Sequence, residues 1–309
     1  MRKYLRKLTL VGIAGLFLFS VSACGNSGGE TEVSTGASSD VFPVTVGELT
    51  LETQPMRIVS LSPSATEMLY AIGAGDQVVA VDEYSNFPAE AAALGTALSG
   101  FEPNVEAIGG YTPDLVIIAY DPANLVEQLA TLNIPVFIAG AAMSLENVYE
   151  QIEQLGVLTG HSQAAIEVSK NLQVGIEEAV ASVQFSEPPL SYYYELDNTY
   201  YSVTSNTFIG QIFNLFGMRN IADNVEAGND YPQLSAEVIV SSDPDFIFLA
   251  DTKCCAQDAT TVAAREGWGG LKAVTANQIV ELDDDVASRW GPRVLELITA
   301  IRDAVVSAN

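Results

Sequence analysis

Two stretches of this chain follow one pattern. Residues 105–119 read VEAIGGYTPDLVIIA and residues 236–250 read AEVIVSSDPDFIFLA. Both fit Glu-x-Ile, four residues, Pro-Asp, four apolar residues and Ala. Glu106, Ile108, Pro113, Asp114 and Ala119 map without a gap onto Glu237, Ile239, Pro244, Asp245 and Ala250. A match at such strict spacing predicts two lobes of one topology. In each copy Pro-Asp starts a buried strand, and the Glu opens a short helix on the surface of its lobe. A helix dipole favours negative charge in the first turn by about 0.3–1 kcal/mol, which is reason enough for a Glu there. Two acids at matched positions also suit a two-fold symmetric partner. The residues alone leave both readings open.

The rest of the body fits an α/β fold of two similar lobes joined by one long rigid helix. An apolar ribbon at 43–51 precedes a strand at 57–61. Ser64 and Glu67 have the spacing of a capping box, Ser at the N-cap and Glu three residues on. They predict a helix that stops at Gly73. Strand patterns follow at 77–81, 114–119 and 134–139, with a helix at 123–133. Short apolar runs alternating with helices indicate parallel sheets covered on both faces. Residues 144–159 and 162–184 then read as two helices in succession. The second is about 35 Å long at the helical rise and has no strand partner. Such a strut limits hinge closure. Apolar segments resume at 190–196, 201–204, 208–216, 246–250 and 279–282, and a helix from Gly291 ends the chain. The expected division is an N-terminal lobe at 43–160, a linking helix at 161–187 and a C-terminal lobe at 188–309.

The first 23 residues have the form of an export signal. Arg2, Lys3, Arg6 and Lys7 precede an apolar run from Leu8 to Val21, which ends in Ser22, Ala23 and Cys24. A run of about 14 residues is short of the roughly 20 that span a bilayer. A Cys after small residues resembles a bacterial lipobox, so Cys24 is the expected lipidation site. Residues 24–42 then form a tether. Rich in Gly and Ser, the stretch 25–40 reaches about 20–25 Å as a flexible coil. The body is expected outside the cytoplasm, lipid-anchored to the outer face of the cytoplasmic membrane at the cell surface or in the periplasm.

Charge and residue chemistry narrow the function classes. The whole chain has 13 Lys+Arg against 39 Asp+Glu, and a body this acidic repels phosphate backbones, so no nucleic-acid partner is expected. A solubilising role or a saline habitat accounts for the acidity. The only histidine, His161, lies between two predicted helices and reads as a surface residue. No serine sits in a nucleophile elbow and no glycine-rich phosphate loop is present, so an enzyme is not expected. One histidine also argues against a zinc or manganese binder. Asp283, Asp284 and Asp285 read as a solvated turn rather than a calcium site. Cys254 and Cys255 pair with each other or stay free. A vicinal disulfide between them is strained, because neighbouring Cα atoms are about 3.8 Å apart.

At the motif level the chain resembles a known family. Residues 57–88 (RIVSLSPSATEMLYAIGAGDQVVAVDEYSNFP), the paired Glu…Pro-Asp repeats and SRWGPR at 288–293 are similar to the cobalamin and ferric-siderophore binding proteins of ABC importers, and nearest to the cobalamin binders. The similarity covers nearly all of residues 55–309. It implies one ligand in a cleft between two lobes, no cofactor, a monomer, and a permease dimer as partner. It places Glu106 and Glu237 where the family docks on permease arginines. Tyr84 matches a cleft tyrosine of the family. Tyr120 and Tyr231 stand where cobalamin binders have tryptophan, and Phe101 lies near another such position. Asp285 and Arg289 match a cleft Asp and Arg spaced four apart.

With Phe87 and Trp290, these form an aromatic wall suited to a large planar ligand. Few basic residues can reach one cleft, which disfavours an anionic ferric catecholate. A corrinoid or a neutral hydroxamate complex fits better, and haem lacks a good axial ligand. A surface lipoprotein without a transport role is the reading from another class.

Overall fold

The computed structural model describes residues 40–308. The signal segment, Cys24 and the tether up to residue 39 lie outside the described residues. The chain opens with a hairpin of β1 (Val44–Val46) and β2 (Leu49–Leu51), which turns at Gly47 with φ +57°. The first lobe runs β3 (Ile58–Leu61), α1 (Pro63–Ala71), β4 (Val78–Val81), α2 (Ala89–Ala92), α3 (Val105–Gly110), β5 (Leu115–Ile118), α4 (Leu125–Ala130) and β6 (Val136–Ile138). Two helices follow, α5 (Leu145–Thr159) and α6 (Ser162–Ala181). The second lobe runs β7 (Ser191–Glu195), α7 (Phe208–Asn214), β8 (Arg219–Asn220), α8 (Ala236–Ser242), β9 (Phe246–Leu249), α9 (Ala259–Ala263), α10 (Lys272–Thr275), β10 (Ile279–Glu281), α11 (Asp284–Ser288) and α12 (Val294–Ala308).

Each lobe is built on a four-stranded parallel sheet. The orders are β4-β3-β5-β6 and β10-β9-β7-β8. Counted within its lobe, each sheet places its first strand between the second and the third, with the fourth outside the third. The internal repeat is therefore a repeat of topology. Central strands β3, β5, β7 and β9 are buried at every residue, as strands covered on both faces must be. The two Pro-Asp turns do equivalent work. Asp114 accepts hydrogen bonds from the amides of Met56 and Arg57 at 3.0 and 2.9 Å, and Asp245 accepts from the Ser191 amide and hydroxyl at 2.8 and 2.7 Å. Each thereby ties the third strand of its lobe to the first. Asn104 and Ser235, at equivalent positions, cap α3 and α8.

The stiff connector expected between the lobes is α6, which at 20 residues is about 30 Å long. Gly160, at φ +78°, turns the chain from α5 into α6. A Cβ at Gly156 would overlap Ala165, so glycine lets these two helices approach closely. Among the described residues no helix is long and apolar enough to cross a membrane.

Three local expectations are corrected. The N-cap of α1 is Ser62, not Ser64, and its hydroxyl accepts from the Ala65 amide. Ser64 and Glu67 have other partners, described below. The helix expected at 123–133 shortens to α4, because Ala123 and Asn124 adopt left-handed backbone at φ +53° and +58°. Residues 201–204 form no strand. The amides of Ser202 and Thr204 donate instead to the carbonyls of Pro232 and Asp230 in a facing loop.

At the carboxyl ends of β7 and β9 the second lobe is closed by charge. Glu195 is fully buried and receives both ends of the Arg265 guanidinium, at 2.7 and 2.6 Å. That guanidinium also lies over the Trp268 ring at 4.6 Å. Asp251, the second residue after β9, is fully buried, and neither of its carboxyl oxygens has a hydrogen-bond partner among the described residues. Burial first, and then the charge of Glu195, push its carboxyl up to about 7. A carboxyl raised in the fold favours folding while it stays protonated, and that contribution is lost as pH rises from the unfolded value towards 7. Asp251→Asn should therefore gain stability over the parent as pH rises from 4 to 8. The gain at pH 8 should be at least about 1 kcal/mol, the equivalent of one pKa unit. Urea unfolding at a series of pH values measures it, and a difference that does not change with pH would contradict the assignment.

Candidate functional site

A cavity of about 580 Å³ opens beyond the carboxyl ends of β3 and β5. In the first sheet this is where the strand order reverses, the place at which open α/β sheets form a crevice. Leu61, Ser62, Pro63 and Ser64 line it from the end of β3, and Ala119 and Tyr120 from the end of β5. Tyr84, Gly100 and Phe101 come from loops of the same lobe. The second lobe contributes Asp285, Ser288, Arg289 and Trp290. A Cβ on Gly100 would come within 2.9 Å of the Leu61 carbonyl oxygen, so only glycine brings this loop so close to β3.

The aromatic wall is continuous. Tyr84 meets Phe101 edge-on with ring centroids 5.7 Å apart, and Phe101 meets Tyr120 at 6.3 Å. These rings are 54%, 64% and 45% exposed, so the wall is largely uncovered. Asp82, buried behind it, accepts from the Tyr84 amide at 2.8 Å and the Ser85 hydroxyl at 2.9 Å, which fixes the loop that carries Tyr84. Burial pushes the Asp82 carboxyl up.

Arg289 of the cavity wall belongs to an ion cluster that crosses between the lobes. Glu67 on α1 has only 1% of its side chain exposed. Its Oε1 accepts from Arg289 Nη1 at 2.8 Å and from Arg293 Nη2 at 2.6 Å, and its Oε2 accepts from Arg293 Nε at 3.0 Å. Arg289 also donates through Nη2 to Asp285 Oδ1 at 2.7 Å and to the Tyr84 carbonyl at 2.8 Å. The Arg293 guanidinium lies over the Phe87 ring at 4.1 Å. The Trp290 amide donates to the Ser64 hydroxyl at 3.2 Å, and Trp290 Nε1 donates to Gln151 on α5 at the same distance. Ser64 and Glu67, expected to cap a helix, instead join the two lobes.

Of the sequence-predicted cleft residues, Tyr84, Phe101, Tyr120, Asp285, Arg289 and Trp290 line the cavity. Tyr231 does not. It stands exposed on a loop of the second lobe, with its amide donating to Asn229. Phe87 does not line the cavity either, because it packs under Arg293. The acidic run at 283–285 is no solvated turn. Asp283 caps α11, Asp284 accepts from Thr252, Lys253 and Cys254, and Asp285 is held by Arg289, Asn86 and Lys253. Among the described residues no three His, Cys, Asp or Glu side chains converge to hold a metal ion. Cys254 and Cys255 are free thiols with sulfurs 2.7 Å apart. His161 is half-buried at the start of α6, where its Nδ1 lies 2.9 Å from the Thr159 carbonyl.

Glu106 and Glu237 stand exposed in the first turns of α3 and α8, at equivalent places in the two lobes. Glu237's own amide and the Ser235 hydroxyl hold its carboxyl below the usual carboxylate range. Sequence reasoning missed Glu67 as a site residue. Its available signal was a lone acid among the apolar residues of a helix, in a chain whose SRWGPR segment carries two arginines.

Residues 58–286 match the family model described as periplasmic binding protein. The chain belongs to that family. An uncharacterized ABC transporter substrate-binding lipoprotein of Bacillus subtilis is 29% identical over 308 residues, which covers 94% of this chain and 95% of the relative. A cobalamin-binding protein of Halobacterium salinarum is 32% identical over 277 residues, covering 85% and 74%. The crystal structure of the periplasmic vitamin B12 binding protein of Vibrio cholerae superposes with a TM-score of 0.68 at 27% identity, over 82% of this chain and 98% of that one.

In this periplasmic binding protein the Glu67 cluster ties the first lobe to Arg289 of the cavity wall. Glu67→Ala leaves the buried Arg289 and the half-buried Arg293 without their shared carboxylate, and breaking a buried pair typically costs about 3–5 kcal/mol. Urea unfolding should show a loss of that size. A loss below about 1 kcal/mol, the worth of an exposed pair, would mean that the cluster does not join the lobes.

Proposed function

We propose that this chain is the extracytoplasmic substrate-binding component of an ABC importer, not an enzyme, and that it captures a large planar metal chelate of the corrinoid class. The observation that carries this reading is the uncovered wall of Tyr84, Phe101 and Tyr120 at the reversal point of the first sheet. The cavity volume lies within the usual range for small-molecule sites. The names of the Halobacterium and Vibrio proteins support the corrinoid class. Arg289 is the only cation among the cavity-lining residues, and its guanidinium serves Glu67, Asp285 and the Tyr84 carbonyl. A highly anionic ferric catecholate needs several such cations. A neutral ferric hydroxamate is the second reading, since one cavity cation does not disfavour an uncharged complex, and haem is the third.

The full chain in detergent, titrated with cyanocobalamin, a ferric hydroxamate and haem while Tyr/Trp fluorescence is followed, should show saturable quenching by cyanocobalamin. Phe101→Ala should weaken that binding by about tenfold, as expected from the loss of one stacking aromatic. Saturation by haem or hydroxamate alone would overturn the corrinoid assignment. Binding of none of the three would overturn the cavity as a chelate site.

Delivery belongs to the same proposal. Cys24 anchors the monomer to the outer face of the cytoplasmic membrane, and Glu106 and Glu237 dock it on a two-fold symmetric permease. Their matched places and exposure support this role. Glu106→Ala combined with Glu237→Ala should leave ligand affinity unchanged and abolish uptake in cells. Normal uptake by the double variant would rule docking out.

A further inference from the structure

We propose that Cys254 and Cys255 are a reversible redox site whose oxidation to a vicinal disulfide loosens the Asp285 wall of the cavity. Cys254 is exposed, Cys255 is half-buried, and their sulfurs are 2.7 Å apart. Their loop is stitched to the turn that starts α11. Thr252 Oγ1 donates to Asp284 at 2.9 Å, and the amides of Lys253 and Cys254 donate to the same carboxylate at 3.0 and 2.8 Å. Lys253 Nζ reaches Asp283 and Asp285 at 2.8 Å each. Asp285, Ser288 and Arg289, on and just beyond α11, face the cavity. The dithiol is thus one short loop away from the wall.

The oxidant is a small organic disulfide. One Cys thiolate attacks a sulfur of that disulfide and expels a thiolate. The other Cys sulfur, having given up its proton, attacks the mixed disulfide and expels the second thiolate. Two electrons pass to the oxidant, which leaves as two thiols carrying the two protons. Neighbouring Cα atoms are about 3.8 Å apart, and disulfides usually span 4.4–6.8 Å. Closure brings the sulfurs from 2.7 Å to about 2.05 Å and, across so short a Cα spacing, is taken up as a turn of both residues' torsions. The Cys255 amide now donates to the Asp251 carbonyl at 3.2 Å and the Cys254 amide to Asp284, so both bonds lie in the path of that turn. Ala256, next in the chain, already sits in left-handed backbone at φ +52°, which leaves the loop little room to absorb the change. With Cys254 and Lys253 drawn away, Asp285 keeps only Arg289 and Asn86. The effect on ligand rests on the cavity being the binding site, whereas the redox chemistry and the loosening of α11 do not.

The full chain is treated with oxidised glutathione or with dithiothreitol, then alkylated and digested with trypsin. After oxidation, peptide 254–265 should be unalkylated and lighter by two hydrogens. Amide hydrogen exchange across 283–289 should be faster in the oxidised form, and cyanocobalamin affinity about tenfold weaker, within the usual range of coupling between sites. A Cys254→Ser, Cys255→Ser variant should respond to neither treatment. Full alkylation or glutathione adducts alone after oxidation would overturn the redox site. Equal exchange in the two redox forms would overturn the coupling. If neither form binds cyanocobalamin, the corrinoid reading fails, and exchange across 283–289 still decides the coupling.

Discussion

A buried carboxylate shared by two guanidinium groups, one of them buried and one half-buried, joins the halves of this molecule. Glu67 comes from the first helix of one lobe, and Arg289 and Arg293 come from the last elements of the other. Stripping such charges of water is costly, and the attraction offsets that cost only when the hydrogen bonds are complete. Here both carboxylate oxygens are engaged by three N–H groups. Arg289 Nη2 reaches Asp285 and the Tyr84 carbonyl, so the cluster also positions two residues of the cavity wall. Trp290, the next residue, is held by Ser64 and Gln151.

This linkage acts together with α6. A helix of about 30 Å bridges the lobes, and the ion cluster joins them again through Arg289 of the cavity wall. Both resist the large hinge motions by which many two-lobed binding proteins enclose a ligand. The open aromatic wall fits that stiffness. Tyr84, Phe101 and Tyr120 already stand ring against ring, and pre-organisation of this kind reduces the ordering cost of binding in the function proposed above.

The parts of this structure that were legible in the sequence are those set by local pattern. The repeat gave two lobes, buried apolar runs gave β5 and β9 almost to the residue, and first-turn acids marked α3 and α8. The partners of charged groups were not legible, because they depend on residues brought together only by the fold. Ser64 and Glu67 have the spacing of a capping box, yet their partners lie more than 220 positions further along the chain. Three successive aspartates look like a solvated turn until Thr252, Lys253, Cys254, Asn86 and Arg289 are seen around them. Phe87 was grouped with the cleft as an aromatic, but aromatic type does not say which surface a loop presents, and Phe87 packs under Arg293 instead.

The closed end of the second lobe bears on symmetry. The repeat that relates Ile118 to Leu249 also relates Tyr120, on the cavity wall, to Asp251, within the buried charge cluster. Two equivalent crevices arise from one duplicated topology. In the first lobe the crevice is open and aromatic, whereas in the second Glu195, Arg265 and Asp251 fill it. Two halves of one topology thus end differently at the same place, one in an open aromatic crevice and the other in a buried charge cluster, so the frame is symmetric although its contents are not.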